Sequence, residues 1–105
     1  MEGLVMTKEI YTFEEIAEVL RNLTKKYRAD NAMIFGSYAR DDAVASSDID
    51  VVIFGGPDFD PTDIFCIADE LYAAMGKNVD VYEIREIKQE SPLHRSVMKE
   101  GRWIA

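Results

Sequence analysis

The sequence predicts an α/β fold whose helices cover one face of a β-sheet and leave the other face open. Segments with helical periodicity alternate along the chain with short segments of strand-like alternation, and glycine and proline separate them. The predicted strands at 48–54 and 79–82 both carry apolar side chains on one face and aspartates on the other. Helices are therefore expected on the apolar face, and the aspartate face is expected to remain open.

The first predicted helix begins at a capping box. Thr12 is the expected N-cap, and Glu15 follows three residues later. The apolar side chains of this helix recur at helical spacing: Phe13, Ile16, Ala17, Leu20, Leu23 and Tyr27. Residues 32–35 are expected to form the first strand, and a short helix is expected to begin at Ser37.

A glycine–proline break at 55–57 separates the second strand from a second long helix. Asp60 is its expected N-cap, Pro61 its first residue and Gly76 the residue that ends it. Its expected apolar set is Ile64, Phe65, Ile67, Ala68, Leu71 and Met75, with Cys66 also expected in the core.

The third strand, at 79–82, is followed by a charged connection and one more helix. This last helix is expected to begin at Ser91-Pro92 and to end near Gly101, so that Trp103 and Ile104 pack at the terminus.

The length of 105 residues indicates one domain spanning residues 1–105. Its composition, 48% apolar and 30% charged residues, is ordinary for a globular protein. No apolar run is long enough to span a membrane, and the first residues lack the features of a secretory signal. The single cysteine, Cys66, excludes an internal disulfide and a multi-cysteine zinc site. A cytoplasmic location is the resulting expectation.

The net charge of −8 argues against tight binding of long DNA or RNA, since affinity for the phosphate backbone comes from lysine and arginine. An acidic surface suits a protein that binds a small magnesium–nucleotide complex or docks on a basic protein. Solubility alone is the alternative explanation for this charge.

The most informative motif is Gly36-Ser37, ten further residues, and then Asp48-Ile49-Asp50. Asp48 and Asp50 share one strand face with Cα atoms roughly 7 Å apart, so their charges repel unless a cation lies between them. Mg²⁺ prefers carboxylate and phosphate oxygens. If the strand at 79–82 lies beside them, Asp80 joins the pair, and three carboxylates then converge as two-metal phosphoryl or nucleotidyl transfer requires.

This combination of Gly-Ser, a ten-residue gap, paired aspartates and a later third aspartate resembles the nucleotidyltransferase signature of the DNA polymerase β superfamily. Nearly the whole chain is similar to the minimal nucleotidyltransferases, short proteins often paired with a HEPN-domain protein as a toxin–antitoxin module. The resemblance implies a polymerase β-like core with a mixed sheet.

The resemblance also implies roles for individual residues. Gly36 and Ser37 would hold the β- and γ-phosphates of a nucleoside triphosphate, and Arg40 would contact phosphate or brace the loop. The structural alternatives are a turn glycine with a serine N-cap, and a salt bridge from Arg40 to a nearby aspartate. The family motif continues Arg-Gly where this chain has Arg40-Asp41, which adds a negative charge near the expected triphosphate.

Asp48, Asp50 and Asp80 would be the metal ligands and the catalytic residues, with Mg²⁺ or Mn²⁺ as the ion. Asp80 would also help to deprotonate the attacking hydroxyl. In the structural alternative, Asp48 caps a strand and Asp80 is an exposed strand residue. Aspartate is depleted in strands, so its presence on one face of two strands favours the metal site.

The resemblance therefore predicts a metal-dependent nucleotidyltransferase that moves a nucleotidyl group, most plausibly AMP from Mg-ATP, to a hydroxyl of a partner protein. The partner would be a HEPN toxin, and a homodimer interface is another source of the acceptor. The competing hypothesis is a non-catalytic antitoxin that neutralises a HEPN ribonuclease by stoichiometric contact. A metal–nucleotide sensor without transfer is a third.

Overall fold

A four-stranded sheet organises the computed structural model, which describes residues 8–105. The strands are β1 (Asn31–Phe35), β2 (Ile49–Phe54), β3 (Val79–Glu83) and β4 (Arg102–Trp103), in the spatial order β3-β2-β1-β4. β2 runs antiparallel to β1 and parallel to β3, so the sheet is mixed. The expectation that no secretory signal is present falls partly on residues 1–7, which lie outside the described residues.

The helices are α1 (Phe13–Lys26), α2 (Ser37–Arg40), α3 (Asp63–Met75) and α4 (Pro92–Glu100), with a 3₁₀ turn at Ile84–Glu86. The predicted capping box of α1 is confirmed. The Glu15 amide donates to Thr12 Oγ1 at 3.1 Å, and the Thr12 amide donates to Glu15 Oε1 at 2.9 Å. Gly76 ends α3 in the left-handed conformation with a φ of +66°, as predicted.

The main core lies between the sheet and the helices α1 and α3. The inward side chains of β1 and β2 are fully buried there because alternate residues of a strand share a face. The central members of this core are Ile16, Leu20, Ile34, Ile49, Val51, Ile53, Ile67 and Leu71. The predicted α/β class, with an apolar face covered by helices, is confirmed.

The opposite face carries a second, smaller apolar cluster. Phe35, Val52, Ile87 and Val97 are its buried members, and Val97 belongs to α4. This helix therefore covers part of the face on which the aspartates of β2 and β3 lie. The beginnings of β2 and β3 stay uncovered, and that end of the face contains Asp50, which is partly buried, and Asp80, which is exposed.

Predictions about α3 are wrong at two points. The helix begins at Asp63 rather than Pro61, because Asp60 forms a turn in which its Oδ1 accepts from the Thr62 amide at 3.0 Å. Phe65 is 72% exposed and Cys66 is also exposed. The buried residues of α3 are Ile64, Ile67, Leu71 and Met75, spaced by three or four, so side chains immediately after Ile64 point to solvent.

Trp103 and Ile104 were both expected to pack, and the structure agrees for Ile104 but only in part for Trp103. Ile104 is buried, whereas Trp103 is half exposed because it lies in the edge strand β4, paired with Met33 of β1. One side of the Trp103 ring contacts Phe54, with ring centroids 4.7 Å apart. Within residues 8–105 no helix has the length and apolar character needed to cross a membrane.

Asp41 ends α2 in the left-handed conformation, with a φ of +62°. This conformation costs a residue with a Cβ atom roughly 1–2 kcal/mol, whereas glycine adopts it freely. The family's glycine at this position therefore suits the backbone, and the aspartate of this chain departs from it at a cost in strain.

We expect Asp41→Gly to stabilise the protein by roughly 0.5 kcal/mol, because relief of strain outweighs the larger entropy of glycine in the unfolded chain. The melting temperature should rise by about 2–4 °C. Asp58→Gly is the control, since Asp58 is an exposed aspartate outside the positive-φ region, and it should lower the melting temperature. A decrease of the same size in both variants would contradict the assignment of strain to Asp41.

Candidate active site

The centre of the candidate site is a pair of carboxylates on neighbouring strands. Asp50 of β2 and Asp80 of β3 are direct partners in the parallel register, so their side chains lie side by side on one face. Neighbouring strands lie about 4.8 Å apart, so Asp80 is close enough to influence the Asp50 carboxyl group directly. The structure thus brings together the two aspartates that the sequence could place only on separate strands.

This environment raises the pKa of Asp50 from 3.8 to about 6. Burial is the largest cause, followed by the charge of Asp80, the hydrogen bond with Asp80 and the charge of Asp48, while Arg40 acts in the opposite direction. In the absence of a cation, Asp50 therefore keeps its proton to a higher pH than an ordinary aspartate does.

Asp48 lies immediately before β2, not inside it, and is exposed. Its charge still reaches Asp50, as the raised pKa of Asp50 shows. Asp48 borders an open cleft of about 440 Å³ together with Asp80, so these two carboxylates face the same solvent space.

Gly36 approaches Asp50 so closely that a side chain has no room. A Cβ atom built on Gly36 would lie 2.5 Å from Asp50 Oδ2. The backbone of Gly36 has φ +72° and ψ −151°, a region that glycine alone adopts readily. The Gly-Ser turn that was predicted to bind phosphate therefore lies directly against the Asp50 carboxylate.

The short helix α2 begins after this turn. Its first amides have no acceptor within the helix, while the amides of Ala39 and Arg40 both donate to the Gly36 carbonyl at 3.0 and 3.1 Å. Ser37 is partly buried at the start of α2, and Tyr38 and Ala39 anchor the helix in the core. Phosphate binding by Gly36 and Ser37 stays a prediction.

Arg40 forms ion pairs with two acidic side chains. Its Nε lies 3.1 Å from Asp42 Oδ2, and its Nη1 lies 3.0 Å from Glu100 Oε1. The salt-bridge alternative is therefore present in the ligand-free protein, with Glu100 as a partner that the sequence did not indicate. Half of the Arg40 side chain is exposed, and its charge reaches Asp50. Contact with a phosphate stays a prediction.

Among residues 8–105, no group of three or more Asp, Glu, His or Cys side chains is arranged as a metal site. Mg²⁺, however, is commonly held by one or two carboxylates together with substrate phosphates. Asp50 and Asp80 offer hard oxygen donors, and their proximity creates negative charge that a cation would neutralise. The residues therefore fit a divalent ion that arrives with a nucleotide better than a fully protein-enclosed one.

The structure also identifies residues near the carboxylates that received no role from the sequence. Tyr82 lies two positions after Asp80 on the same face, and burial together with the charges of Asp80 and Asp50 raises its pKa, so its hydroxyl remains a donor. Strand alternation was sufficient to find Tyr82. Tyr72 and Asp69 of α3 border the cleft beside Asp80, which only the tertiary structure reveals.

Comparison with known proteins assigns the family. Residues 8–105 match the family model described as polymerase beta, nucleotidyltransferase. This chain belongs to that family.

Sequence relatives occur in Methanocaldococcus jannaschii. One, named "Putative protein adenylyltransferase", is 37% identical over 91 residues, which cover 83% of this chain and 91% of the relative. A second with the same name is 36% identical over 76 residues, which cover 67% of this chain and 76% of the relative.

Solved structures share the fold at lower identity. A toxin–antitoxin complex with AMP-PNP contains a chain with a TM-score of 0.72 and 21% identity, covering 85% of this chain and 72% of that one. A structure described as a "putative minimal nucleotidyltransferase" has a TM-score of 0.70 and 24% identity, covering 88% of this chain and 95% of that one. A tri-AMPylated HEPN toxin in complex with the MNT antitoxin, from Shewanella oneidensis, gives 0.67 and 19%, with 90% and 72% covered.

The contact between Gly36 and Asp50 leads to a testable prediction. We expect Gly36→Ala to destabilise the protein by about 2 kcal/mol or more, from backbone strain and from collision with the Asp50 carboxylate. A double-mutant cycle with Asp50→Ala, measured by denaturant unfolding, should show a coupling free energy of about 1 kcal/mol, since the second change removes the collision but not the strain. Strict additivity would mean that the close approach contributes nothing.

The raised pKa of Asp50 predicts how stability depends on pH in the absence of divalent ions. The folded state holds the proton more tightly than the unfolded state, so this contribution is complete below about pH 4 and is lost as the pH rises through about 6. Asp50→Asn should therefore gain stability relative to the wild-type protein between pH 4 and 7 and keep that gain above pH 7. Melting temperatures measured in EDTA across this range test the prediction, and a difference that is independent of pH would contradict it.

Proposed function

We propose that this chain is a metal-dependent nucleotidyltransferase that transfers AMP from Mg-ATP to a hydroxyl group of a partner protein. The observation that supports this most directly is the Asp50–Asp80 pair, which lies at the open end of the sheet against the Gly36 turn. A phosphate chain bound at the turn would lie beside Asp50, the direct strand partner of Asp80. The name of the archaeal relatives, protein adenylyltransferase, supports the choice of reaction.

Each residue has a distinct part in this reaction. Gly36 lets the backbone approach the triphosphate, and Ser37 donates hydrogen bonds to its β- and γ-phosphates. Mg²⁺ or Mn²⁺, held by Asp48, Asp50 and Asp80, would supply the charge neutralisation that the phosphates need. Arg40 adds a positive charge. When the nucleotide binds, its guanidinium group leaves Asp42 and Glu100 and pairs with phosphate instead.

The chemistry is an in-line displacement at the α-phosphorus. The acceptor oxygen forms a bond to this atom while the bond to the pyrophosphate oxygen breaks, and pyrophosphate leaves. Asp80 is exposed at the cleft and accepts the proton of the attacking hydroxyl, which then passes to solvent. The products are an adenylylated partner and pyrophosphate.

We propose a HEPN-domain toxin as the partner. The structural neighbours include toxin–antitoxin complexes, and one of them contains a tri-AMPylated HEPN toxin. An acidic protein with a net charge of −8 is suited to covering a basic RNA-binding surface. Modification of such a toxin would inactivate it for longer than the complex itself persists.

Stoichiometric neutralisation without transfer is the second candidate. Two observations favour it: Arg40 is engaged by Asp42 and Glu100, and no three-ligand metal cluster exists in the described chain. Both features would weaken nucleotide binding. A protein that acts by contact alone does not need to bind nucleotide, so it would tolerate them.

The two candidates differ in stoichiometry. We expect catalytic amounts of this protein with Mg-ATP to add adenylyl mass to a HEPN-domain protein of the same genome, as measured by intact-mass spectrometry. The modified partner should stay inactive after this protein is removed, and EDTA should stop the reaction. Asp48→Asn with Asp50→Asn should lower the rate at least about a thousandfold by removing metal ligands, while Ser37→Ala should only slow it.

Asp58→Asn with Asp63→Asn is the matched control, because it removes the same charge from positions outside the site, and it should retain activity. Inhibition that needs equimolar protein, ignores ATP and survives the Asp48/Asp50 double substitution would establish the binding module instead.

A further inference from the structure

β3 is an edge strand whose outer side is available for pairing. It is hydrogen-bonded to β2 alone in the part of the chain that the structure describes. The Ile49 amide donates to the Asn78 carbonyl at 3.0 Å, which directs the backbone groups of Asn78 towards β2. Because successive residues of a strand direct these groups to opposite sides, Val79 and Val81 present their N–H and C=O groups to the free edge.

The open cleft that Asp48 and Asp80 border continues along this edge as a groove between β3 and α3. It has a volume of about 440 Å³, and its walls are formed by Tyr72 and Asp69 on α3 and by Val79 and Asp80 on β3. Tyr72 is 55% exposed, and Phe65, two helical turns before it, is 72% exposed. Large apolar side chains exposed in this way next to a groove are typical of a surface that binds another chain.

The charge of the groove indicates the chemistry of its occupant. Asp48, Asp69 and Asp80 line it, and the lining contains no lysine or arginine. A segment that carries lysine or arginine next to an aromatic or aliphatic residue complements both the carboxylates and the exposed ring of Tyr72. The groove also shares Asp48 and Asp80 with the candidate active site, so whatever binds in it ends beside the reacting groups.

We infer that an extended basic segment of the acceptor protein binds in this groove as an additional strand alongside β3. This inference rests on the proposed function and names the surface by which the acceptor is selected. A strand added here alternates its side chains between the two faces of the sheet. One set contacts Tyr72 and the α3 side, and the other set lies on the Asp80 side, where a hydroxyl-bearing residue meets the carboxylates.

The test uses a HEPN-domain protein of the same genome as the probe and the variants Asp69→Lys and Tyr72→Ala. Both side chains are exposed, so the fold should tolerate the changes. We expect each variant to weaken the Kd for the partner about tenfold by calorimetry without nucleotide. The KM for the partner should rise in parallel, with kcat and the Kd for Mn-ATP unchanged.

The chain offers a matched control for each variant. Asp58→Lys changes the net charge by the same amount at an exposed turn beyond the opposite end of β2, and Met98→Ala truncates an equally exposed apolar side chain on α4. Both should leave Kd and KM unaltered. Bound partner should also slow hydrogen exchange at the amides of Val79 and Val81, which a purely side-chain contact would not do.

The outcomes separate this inference from the proposed function. Strand addition is overturned if Asp69→Lys and Asp58→Lys raise the Kd for the partner equally. It is also overturned if the amides of Val79 and Val81 exchange hydrogen at an unchanged rate in the complex. Either result holds even where AMP transfer continues. If the groove variants lose binding while the wild-type protein transfers no AMP, the docking surface stands and the transferase proposal falls. A wild-type protein that neither binds nor modifies the partner overturns both.

Discussion

The site depends on the parallel pairing of β2 with β3, which places Asp50 directly beside Asp80. Two negative charges on adjacent strand partners repel each other. Burial of apolar side chains on the other face of the same strands offsets this repulsion. Ile49 and Val51 of β2 are fully buried there, and their burial holds the register that brings the carboxylates together. Slippage of either strand by one residue would turn the aspartate of that strand towards the core, so the packing of the apolar face also fixes the geometry of the acidic face.

The turn at Gly36 is fitted to Asp50 of the same pair. Gly36 occupies a conformation that other residues avoid, and its missing side chain is the space that the Asp50 carboxylate uses. One turn later the backbone again enters the left-handed region, and there the chain has Asp41 instead of glycine. The Asp41 carboxylate is 77% exposed and its nearest ion-pair partner is Arg102, at 3.8 Å. The added negative charge is thus largely solvated, which limits its effect on the proposed triphosphate.

The outer sides of β1 and β3 differ in whether another strand pairs with them. The outer side of β1 is covered by the short strand β4, and the Ile104 amide that follows it donates to the Ala32 carbonyl at 3.1 Å. In residues 8–105 no segment covers the outer side of β3 in the same way. The uncovered edge is the one that borders the aspartates, so the open edge of the sheet and the candidate active site coincide.

The amino-acid sequence alone determined the α/β class and the N-terminus of α1, and it singled out Gly36-Ser37 and the aspartates as candidate site residues. These features depend on local rules: capping, strand alternation and the conformational freedom of glycine act within a few residues of the chain. The tertiary structure decided the neighbours. Asp80 lies next to Asp50 because β3 pairs with β2. Arg40 forms an ion pair with Glu100 of α4. Phe65 and Cys66 are exposed because α3 buries only one stripe of its side chains. Pairing between strands and contact between helices join residues that are distant in sequence, and their geometry follows from how the whole apolar surface is buried.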